Sequence, residues 1–425
     1  MARFLTERHM EEILSDIIVG LDVGTSAVRV AIGELTSDGK VEIIGLSSKK
    51  SQGLRNGAIV NLEAAGSIIK DAVDAAEQNA GFEVSSCVAA IGGPQIECLN
   101  SRGQAAVSKR GKANGEITRA DVERVIENAR SVPIAPDKEI LHVIPKNYTV
   151  DQVVGIKDPI NMMGVRLETE VHIVTASKTA IQNVRDCVNR AGYDLDRIMQ
   201  KTLAAAQAVV HQDEMELGSI LIDLGAGTTD VLVLHEGAPL VSFSLKNCGY
   251  YVTNDIAIVK GIPLAAAEEI KINDGCCFLD ILDNPHDVAI PGVGGRPPEL
   301  TSQTEICKII QPRMEEIFLT VISEIRRRTD LTRLSGNIIL TGGGAQMEGV
   351  LELAKDVFRT ESVRLGIPES LGGIEEEYRK SEWATAIGLV ISQKDSLVAS
   401  AKSARRKNDG KPSAGLWQKL KKAFF

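Results

Sequence analysis

The chain has 425 residues, of which 44% are hydrophobic and 25% are charged, and its net charge is −9. This length is too great for one hydrophobic core, so we expect two or more domains. The acidic balance argues against nucleic acid as a partner, because a phosphate backbone attracts basic surfaces.

The cysteine pattern and the hydrophobic pattern indicate a reducing compartment and no membrane span. The seven cysteines include no CxxC pair, which argues against a disulfide framework and against a zinc site. The first 16 residues carry three glutamates and no apolar run, unlike a signal peptide. Because no 18 consecutive residues are apolar, we expect a protein on the cytoplasmic side.

Two segments of similar pattern lie far apart in the chain, "IVGLDVGTSAVRVAIGEL" at 18–35 and "SILIDLGAGTTDVLVLHEG" at 219–237. Each is predicted to be a strand that ends in an aspartate, a turn of glycine and hydroxyl residues, and a second β-branched strand. The aspartates are Asp22 and Asp223. A repeat of this kind predicts two related halves.

The composition of the two turns fits a polyphosphate ligand. Glycines let main-chain N–H groups approach phosphate oxygens closely, and threonine or serine adds hydroxyl donors. A carboxylate at each strand end can hold Mg²⁺ through water. A single copy of the pattern is better explained as an ordinary tight hairpin, but the matching pair favours two turns that hold a polyphosphate between two domains.

Three further stretches fit a ligand site between two halves. "NIILTGGGAQMEGV" at 337–350 predicts a strand, a triple glycine and a helix start, where the backbone can approach a base or a phosphate. "TLAAAQAVV" at 202–210 and "EWATAIGLVI" at 382–391 are rich in small residues, which allow two helices to pack closely. We expect these two helices to cross between the halves.

Taken in chain order, as turn, helix, turn, triple glycine and helix, the five pieces resemble the actin/Hsp70/sugar-kinase ATPase superfamily. The phrases "LHVIPKNYTVDQVVGIKDPINMMGVRLETEVHIVTAS" at 141–177 and "VGGRPPEL" at 293–300 are similar to the FtsA family of bacterial cell-division proteins, over about residues 16–392 and the tail. The resemblance implies an α/β fold of two RNase-H-like halves with ATP in the cleft between them, and a subdomain 1C insert in place of the 1B subdomain of actin.

The resemblance also implies a division of the chain. The insert is expected to include strands at "CVAAIGG" and "GQAAVS" and a helix capped by Thr118, with Asp121 three residues on. The second insert is expected to end on a long helix at 313–328. The expected segments are the first half 1A at 1–86, 1C at 87–168, 1A continued at 169–199, the second half 2A at 200–246, 2B at 247–327, 2A continued at 328–374, a return to 1A at 375–392, a linker at 393–414 and a terminal helix at 415–425.

The resemblance further implies the nucleotide residues, with ATP and Mg²⁺ as cofactors. Asp22 and Asp223 would be the carboxylates on the metal side, and Arg29 falls where actin has a phosphate-contacting lysine. Glu268 and Lys271 share one helix face and match the positions that meet the adenosine. The residues expected at the cofactor are Asp22, Gly24, Thr25, Ser26, Arg29, Asp223, Gly225, Gly227, Thr228, Thr229, Glu268, Lys271, Gly342, Gly343 and Gly344.

Hydrolysis needs a polar residue that orients the attacking water. Bacterial actins of the MreB type have a glutamate at the start of the first connecting helix, and the matching position here is Lys201. Since an ammonium group cannot accept the proton of water, we expect at most a slow ATPase, although the adjacent Gln200 leaves activity open.

Partners are also implied by the resemblance. The second insert of FtsA-like proteins docks the C-terminal peptide of the tubulin-like FtsZ, and Arg313 and Glu316 match that docking surface. A solvated helix face is the alternative interpretation of these two residues. The 1C insert implies polymer contacts with further copies of the chain and contacts with later division proteins.

The last eleven residues, "GLWQKLKKAFF", follow a polar linker. Residues 396–425 carry eight Lys or Arg and one Asp, a net +7, so the remaining residues carry −16. As a helix the segment is amphipathic, with one apolar face and one basic face, which is typical of an anchor at an anionic membrane surface. The apolar face comprises Leu416, Trp417, Leu420 and Phe424, and the basic face comprises Lys419, Lys421 and Lys422.

A partner-binding peptide, a tail that folds back on the body and a tail without a role are the alternatives for this segment. For the whole chain, the resemblance predicts a self-associating protein of the division septum that tethers FtsZ filaments to the inner, cytoplasmic face of the membrane. Another actin-like membrane-linked scaffold, of the pilus-assembly type, and a phosphotransferase on the same fold are the other functions considered.

Overall fold

The structure is a computed structural model, and it describes residues 17–36, 38–108, 115–295, 297–329 and 336–394. The terminal helix predicted at 415–425 and most of the predicted linker lie outside the described residues. Among the described helices, none has the length and apolar character required to span a bilayer.

The described elements are runs of consecutive strands separated by helices. The strands are β1 (Ile17–Val23), β2 (Ala27–Leu35), β3 (Val41–Lys50), β4 (Leu54–Arg55), β5 (Ala58–Ile59), β6 (Ser86–Ile91), β7 (Ile96–Ala106), β8 (Gly115–Glu116), β9 (Lys138–Val150), β10 (Val153–Ile156), β11 (Met163–Gly164), β12 (Arg166–Ser177), β13 (Asp194–Gln200), β14 (Ser219–Leu224), β15 (Thr229–His235), β16 (Ala238–Leu245), β17 (Asp287–Ile290), β18 (Glu299–Ser302), β19 (Ile338–Thr341) and β20 (Val363–Leu365). The helices are α1 (Leu62–Ala80), α2 (Arg119–Arg130), α3 (Lys178–Arg190), α4 (Lys201–Val209), α5 (Gln212–Leu217), α6 (Gly249–Lys260), α7 (Leu264–Asp274), α8 (Gln303–Arg328), α9 (Val350–Phe358), α10 (Glu375–Tyr378) and α11 (384–394).

The two halves contain sheets of the same topology. The first sheet has the order β13-β6-β1-β2-β3 and the second has the order β16-β15-β14-β19-β20. In each, three antiparallel strands in sequence are followed by two strands parallel to the first. Asp22 pairs with Arg29 in one hairpin, and Asp223 pairs with Asp230 at the equivalent register in the other. The predicted fold of two related halves is confirmed.

The two helices rich in small residues cross in direct contact. Ala204 of α4 and Ala386 of α11 are both fully buried in a core cluster that contains residues of both sheets, such as Leu21 and Leu221. Gly388 of α11 lies against the backbone of α4, where an added Cβ would overlap the carbonyl oxygen of Ala204. Small side chains therefore allow the close crossing that the sequence predicted.

The first insert is a four-stranded sheet of order β10-β9-β12-β7, with α2 packed on it. The predicted cap of α2 is confirmed, since Thr118 is the N-cap residue and its backbone N–H donates to Asp121 Oδ2 at 2.9 Å. The strand predicted at the start of the insert is present, but its assignment to the insert is wrong. Residues 87–91 belong to β6, which pairs with β1 and β13 in the core sheet, because a short buried apolar run has the same sequence pattern in either sheet.

The second insert consists of α6, α7, the β17–β18 hairpin and α8. The predicted long helix at 313–328 begins ten residues earlier, at Gln303, and contains Pro312. Ser302 is its N-cap, and its hydroxyl accepts the N–H of Thr304 at 3.2 Å. The helix buries an apolar face that includes Ile310, Met314 and Phe318.

Candidate functional site

The tip between β1 and β2 is closed by its own backbone. The N–H of Gly24 donates to the carbonyl of Ala27 at 3.1 Å. The hydroxyl oxygen of Thr25 accepts the N–H of Gly57 at 3.0 Å, which fixes that side chain against the β4–β5 hairpin. Asp22, immediately before the turn, is 5% exposed. The buried carboxylate of Asp22 therefore lies directly beside this closed turn.

The tip between β14 and β15 has the same construction. The N–H of Gly225 donates to the carbonyl of Thr228 at 3.0 Å. The Thr228 hydroxyl donates to Asp230 Oδ2 at 2.7 Å, and the N–H of Gly93 donates to Asp230 Oδ1 at 3.2 Å. The two tips touch, because a Cβ on Gly227 would overlap the hydroxyl of Thr25. Glycine at 227 therefore permits the approach of the two halves.

A cleft of about 330 Å³ lies between the halves, and most of the predicted cofactor residues line it. Gly227 and Thr228 line an adjoining cavity of about 40 Å³ that also touches Asp22, Thr25 and Lys201. All fifteen predicted cofactor residues thus line one of two cavities that share lining residues. Those that line the larger cleft are Asp22, Gly24, Thr25, Ser26, Arg29, Asp223, Gly225, Thr229, Glu268, Lys271, Gly342, Gly343 and Gly344.

Lys201 carries a positive charge at the end of the cleft formed by the two tips. Its Nζ lies 3.1 Å from Oδ2 of Asp223, which is 2% exposed. Burial disfavours the ammonium, but the nearby carboxylates of Asp223, Asp22 and Asp230 outweigh it and hold the pKa of Lys201 above its ordinary value. Burial raises the pKa of Asp223, an effect that Lys201 opposes. The ammonium therefore stays charged at neutral pH.

Arg29 lines the cleft but is already paired. Its guanidinium forms an ion pair with Glu382, and its Cζ lies 5.9 Å from the ring centroid of Trp383. Glu382 also lines the cleft. Arg29 is thus held at the α11 side of the space, and a ligand phosphate would compete with Glu382 for it.

The opposite end of the cleft combines one polar cluster with apolar side chains. The Nζ of Lys271 donates to Glu268 Oε2 at 2.7 Å and to the Thr253 hydroxyl at 2.9 Å. Met314, Ile317 and Met347 line the same cleft. Gly342, at φ 84°, turns the chain after β19 and leads into the short 3₁₀ helix Gly343–Gln346. This end suits a flat ring with polar edges.

Sequence reasoning found Lys201 but not what it contacts. Its ion pair with Asp223, and the pairing of Arg29 with Glu382, join residues far apart in the chain and follow no local pattern. Of the two neighbours considered for water activation, Lys201 lines the cleft and Gln200 does not. The backbone N–H of Gln200 donates to His142 Nε2 at 3.0 Å, on the side of the first insert.

The residues predicted for peptide docking lie at a separate groove of about 360 Å³ between α6 and α8. Arg313 pairs with Asp255 through Nε at 2.6 Å and Nη2 at 3.1 Å, and it also pairs with Glu316. Ile258 and Val259 form an apolar wall there and are 70% and 62% exposed. An apolar strip beside paired charges suits an amphipathic peptide.

Two family models match the chain. Residues 93–175 match the SHS2 domain inserted in FTSA, and residues 220–388 match the cell division protein FtsA. Over 410 residues, the chain is 38% identical to the cell division protein FtsA of Pseudomonas aeruginosa, covering 96% of this chain and 97% of that one.

The chain belongs to the FtsA family.

Other FtsA family members agree with this assignment. The FtsA of Borreliella burgdorferi is 40% identical over 377 residues, covering 88% of this chain and 90% of that one. The FtsA of Escherichia coli K12 is 35% identical over 387 residues, covering 89% and 91%. The predicted family is thus confirmed.

Solved structures support the actin-like fold. A PilM–PilN type IV pilus biogenesis complex superposes with a TM-score of 0.62 at 18% identity, covering 88% of this chain and 97% of that one. MreB5 of Spiroplasma citri bound to ADP superposes with a TM-score of 0.53 at 15% identity, covering 92% and 99%. At these identities the likeness concerns the fold alone.

The predicted cofactor can be tested against the donor groups in the cleft. Backbone and hydroxyl donors on two touching tips fit a polyphosphate. The Asp22 carboxylate lines the cleft. Asp223 presents one oxygen to Lys201, and its other oxygen, Oδ1, is buried without a hydrogen-bond partner. The residues therefore fit a hydrated Mg²⁺ mainly on the Asp22 side.

Proposed function

We propose that this member of the FtsA family binds ATP, self-associates and tethers FtsZ filaments to the cytoplasmic face of the membrane. The observation that carries the proposal is the contact between two glycine-rich tips, each preceded by a buried aspartate, over one interdomain cleft. A ligand held by both tips stabilises one arrangement of the halves, which would favour a surface competent for polymer contacts.

ATP would lie with its phosphates between the tips and its base near the Glu268–Lys271 pair. When bound, Mg²⁺ would neutralise phosphate charge, with Asp22 holding it through water. Thr25 lines the cleft, and its hydroxyl accepts the Gly57 N–H and keeps its own proton, so it would donate a hydrogen bond to the phosphates.

Turnover would be slow. A water that attacks the γ-phosphate needs a group to orient it and to accept its proton. Lys201 stands at the start of α4 and is charged, so it has no lone pair to offer. ATP then serves mainly as a brace between the halves rather than as a substrate.

FtsZ would dock through its C-terminal peptide in the groove between α6 and α8. Ile258 and Val259 would pack against the apolar side chains of the peptide. Arg313 and Glu316 would form ion pairs with its charged side chains. Later division proteins and further copies of the chain would contact the first insert, as the resemblance implies.

Membrane attachment would use the segment at 415–425, which lies outside the described residues. As a helix it would bury Trp417 and its apolar neighbours, while each lysine near an anionic surface contributes about 1 kcal/mol. One such short helix binds weakly. A polymer presents many copies on one face, so attachment and self-association should be coupled.

The test is co-sedimentation of the full chain with anionic vesicles, with and without ATP and FtsZ. We expect Trp417→Glu, and a chain ending at Gly415, to lose vesicle binding and the recruitment of FtsZ to vesicles. Gln418→Glu is the matched control, since it adds the same carboxylate on the polar face and should sediment much like the parent. Vesicle binding by Trp417→Glu equal to that of the parent would disprove the anchor.

A further inference from the structure

Lys201 is held in place from both halves of the molecule. Its stem packs on Gly92, where an added Cβ would lie 3.1 Å from Lys201 Cβ and 3.3 Å from its Cδ. Its ammonium reaches the second tip, 3.1 Å from Asp223 Oδ2 and 3.7 Å from the place a Cβ on Gly225 would take. Since the side chain is only 17% exposed, the ammonium is fixed at the phosphate end of the cleft.

Three buried carboxylates surround this ammonium, and they differ in what they bind. Asp230 is satisfied by the Thr228 hydroxyl and the Gly93 N–H. Asp223 is paired with Lys201. The Asp22 carboxylate lines the cleft beside them. One of the two carboxylates expected on the metal side is therefore already neutralised by a group of the protein itself.

An ammonium has three N–H donors, of which Asp223 takes one in this geometry. Lys201 lines both the cleft and the adjoining cavity at the tips, so the remaining donors would face a phosphate that enters there. A divalent ion placed between Asp22 and Asp223 would be repelled by the nearby ammonium of Lys201. Because the site is buried, solvent screens this repulsion only weakly. The positive charge that a polyphosphate needs is thus partly supplied without a metal.

We propose that Lys201 is a phosphate-binding residue that takes over part of the role of Mg²⁺, so that the chain keeps its nucleotide when divalent ions are removed. The proposal rests on the nucleotide binding proposed above. In a site without this lysine, both aspartates would depend on the metal ion to neutralise their charge. Here Asp223 is already neutralised by Lys201.

The experiment measures the affinity of the full chain for ATP by isothermal titration calorimetry, in Mg²⁺ buffer and in EDTA. In the parent, EDTA should lower the affinity by less than about tenfold. In Lys201→Gln the same treatment should lower it by about 10- to 100-fold more, the loss expected for one charge-assisted hydrogen bond. Lys201→Arg keeps the charge but changes its reach and geometry, so its loss in EDTA should lie between those of the parent and Lys201→Gln.

Lys70→Gln is the matched control, because Lys70 is exposed on α1 and pairs only locally with Asp74. Its loss of affinity in EDTA should equal that of the parent. Thermal unfolding checks that each variant is folded, and the parent measurement stands even if Lys201→Gln is not.

Loss of detectable ATP binding by the parent in EDTA, or an equal loss in parent and Lys201→Gln, would overturn the inference while leaving ATP binding in Mg²⁺ intact. Absence of ATP binding in both buffers would instead contradict the proposed function itself, and the inference with it. The two failures are therefore distinguishable in one titration series.

Discussion

Gly388 and Ala204 bring two helices into backbone contact across the middle of the molecule. A Cβ on Gly388 would overlap the Ala204 carbonyl oxygen, and Ala204 is fully buried. Because α4 begins at Lys201, this crossing also sets the position of the ammonium at the cleft. Helix packing and site geometry are thus linked through one short helix.

Gly388→Ala should destabilise the fold by about 1–3 kcal/mol, because a tightly packed crossing must separate to admit a methyl group. Urea unfolding measures the difference. Gly66→Ala is the control, since Gly66 also lies in a helix, but an added Cβ would approach its neighbours no closer than 3.3 Å. Greater helix propensity should offset that contact. Equal destabilisation of the two variants would contradict the packing argument.

Gly342→Ala should lower the stability of the nucleotide-free protein by about 1–3 kcal/mol. The residue has φ 84°, and an added Cβ would overlap Asp223 Oδ1. At the next position, Gly343, an added Cβ would meet nothing within 4 Å, and its φ is not positive. Gly343→Ala should therefore leave the melting temperature nearly unchanged. A similar fall in both melting temperatures would argue against the geometry of this turn.

Ile258→Asp should weaken binding of an FtsZ C-terminal peptide by about tenfold or more, because it removes an apolar contact and buries a charge. Fluorescence anisotropy with a labelled peptide measures the affinity. Leu319→Asp makes the same change at another exposed site, since Leu319 of α8 is 56% exposed and does not line the groove. If Leu319→Asp weakens peptide binding as much as Ile258→Asp, the peptide does not dock in the groove between α6 and α8.

The pH dependence of stability should reflect Glu214. Burial raises its pKa, but hydrogen bonds from Arg364, Asn337 and the N–H of His211 outweigh burial and lower the pKa from 4.5 to about 2. Because the folded pKa lies below the unfolded one, the contribution is complete above about pH 4.5 and is lost as the pH falls toward 2.

Glu214→Gln should therefore cost about 1–3 kcal/mol of unfolding free energy at pH 7, and the difference from the parent should shrink below pH 4.5. Urea unfolding at a series of pH values measures it. Glu305→Gln is the control, because Glu305 pairs with Lys308 at an exposed site and should show no detectable effect. A Glu214→Gln deficit that stays constant down to pH 3 would exclude the linkage.

The local patterns of the sequence predicted the two glycine turns and the two crossing helices, and the family resemblance added Arg29, Glu268 and Lys271 to the expected site. Strand, glycine turn and strand recur at Asp22 and Asp223, and small residues mark the two crossing helices. These features depend on neighbours in the chain, since backbone conformation and close approach are set by the residues at the turn or the crossing itself. The cap of α2 at Thr118 was predictable for the same reason.

Only the tertiary structure decided which charges meet. Arg29 is paired with Glu382, 353 positions away, and Lys201 is paired with Asp223 across the two halves. The sequence also could not assign residues 87–91 to the core sheet, or start α8 at Gln303. Pairing between distant residues depends on how sheets and helices pack, and the free energy of that packing is spread over the whole core rather than held in any short segment.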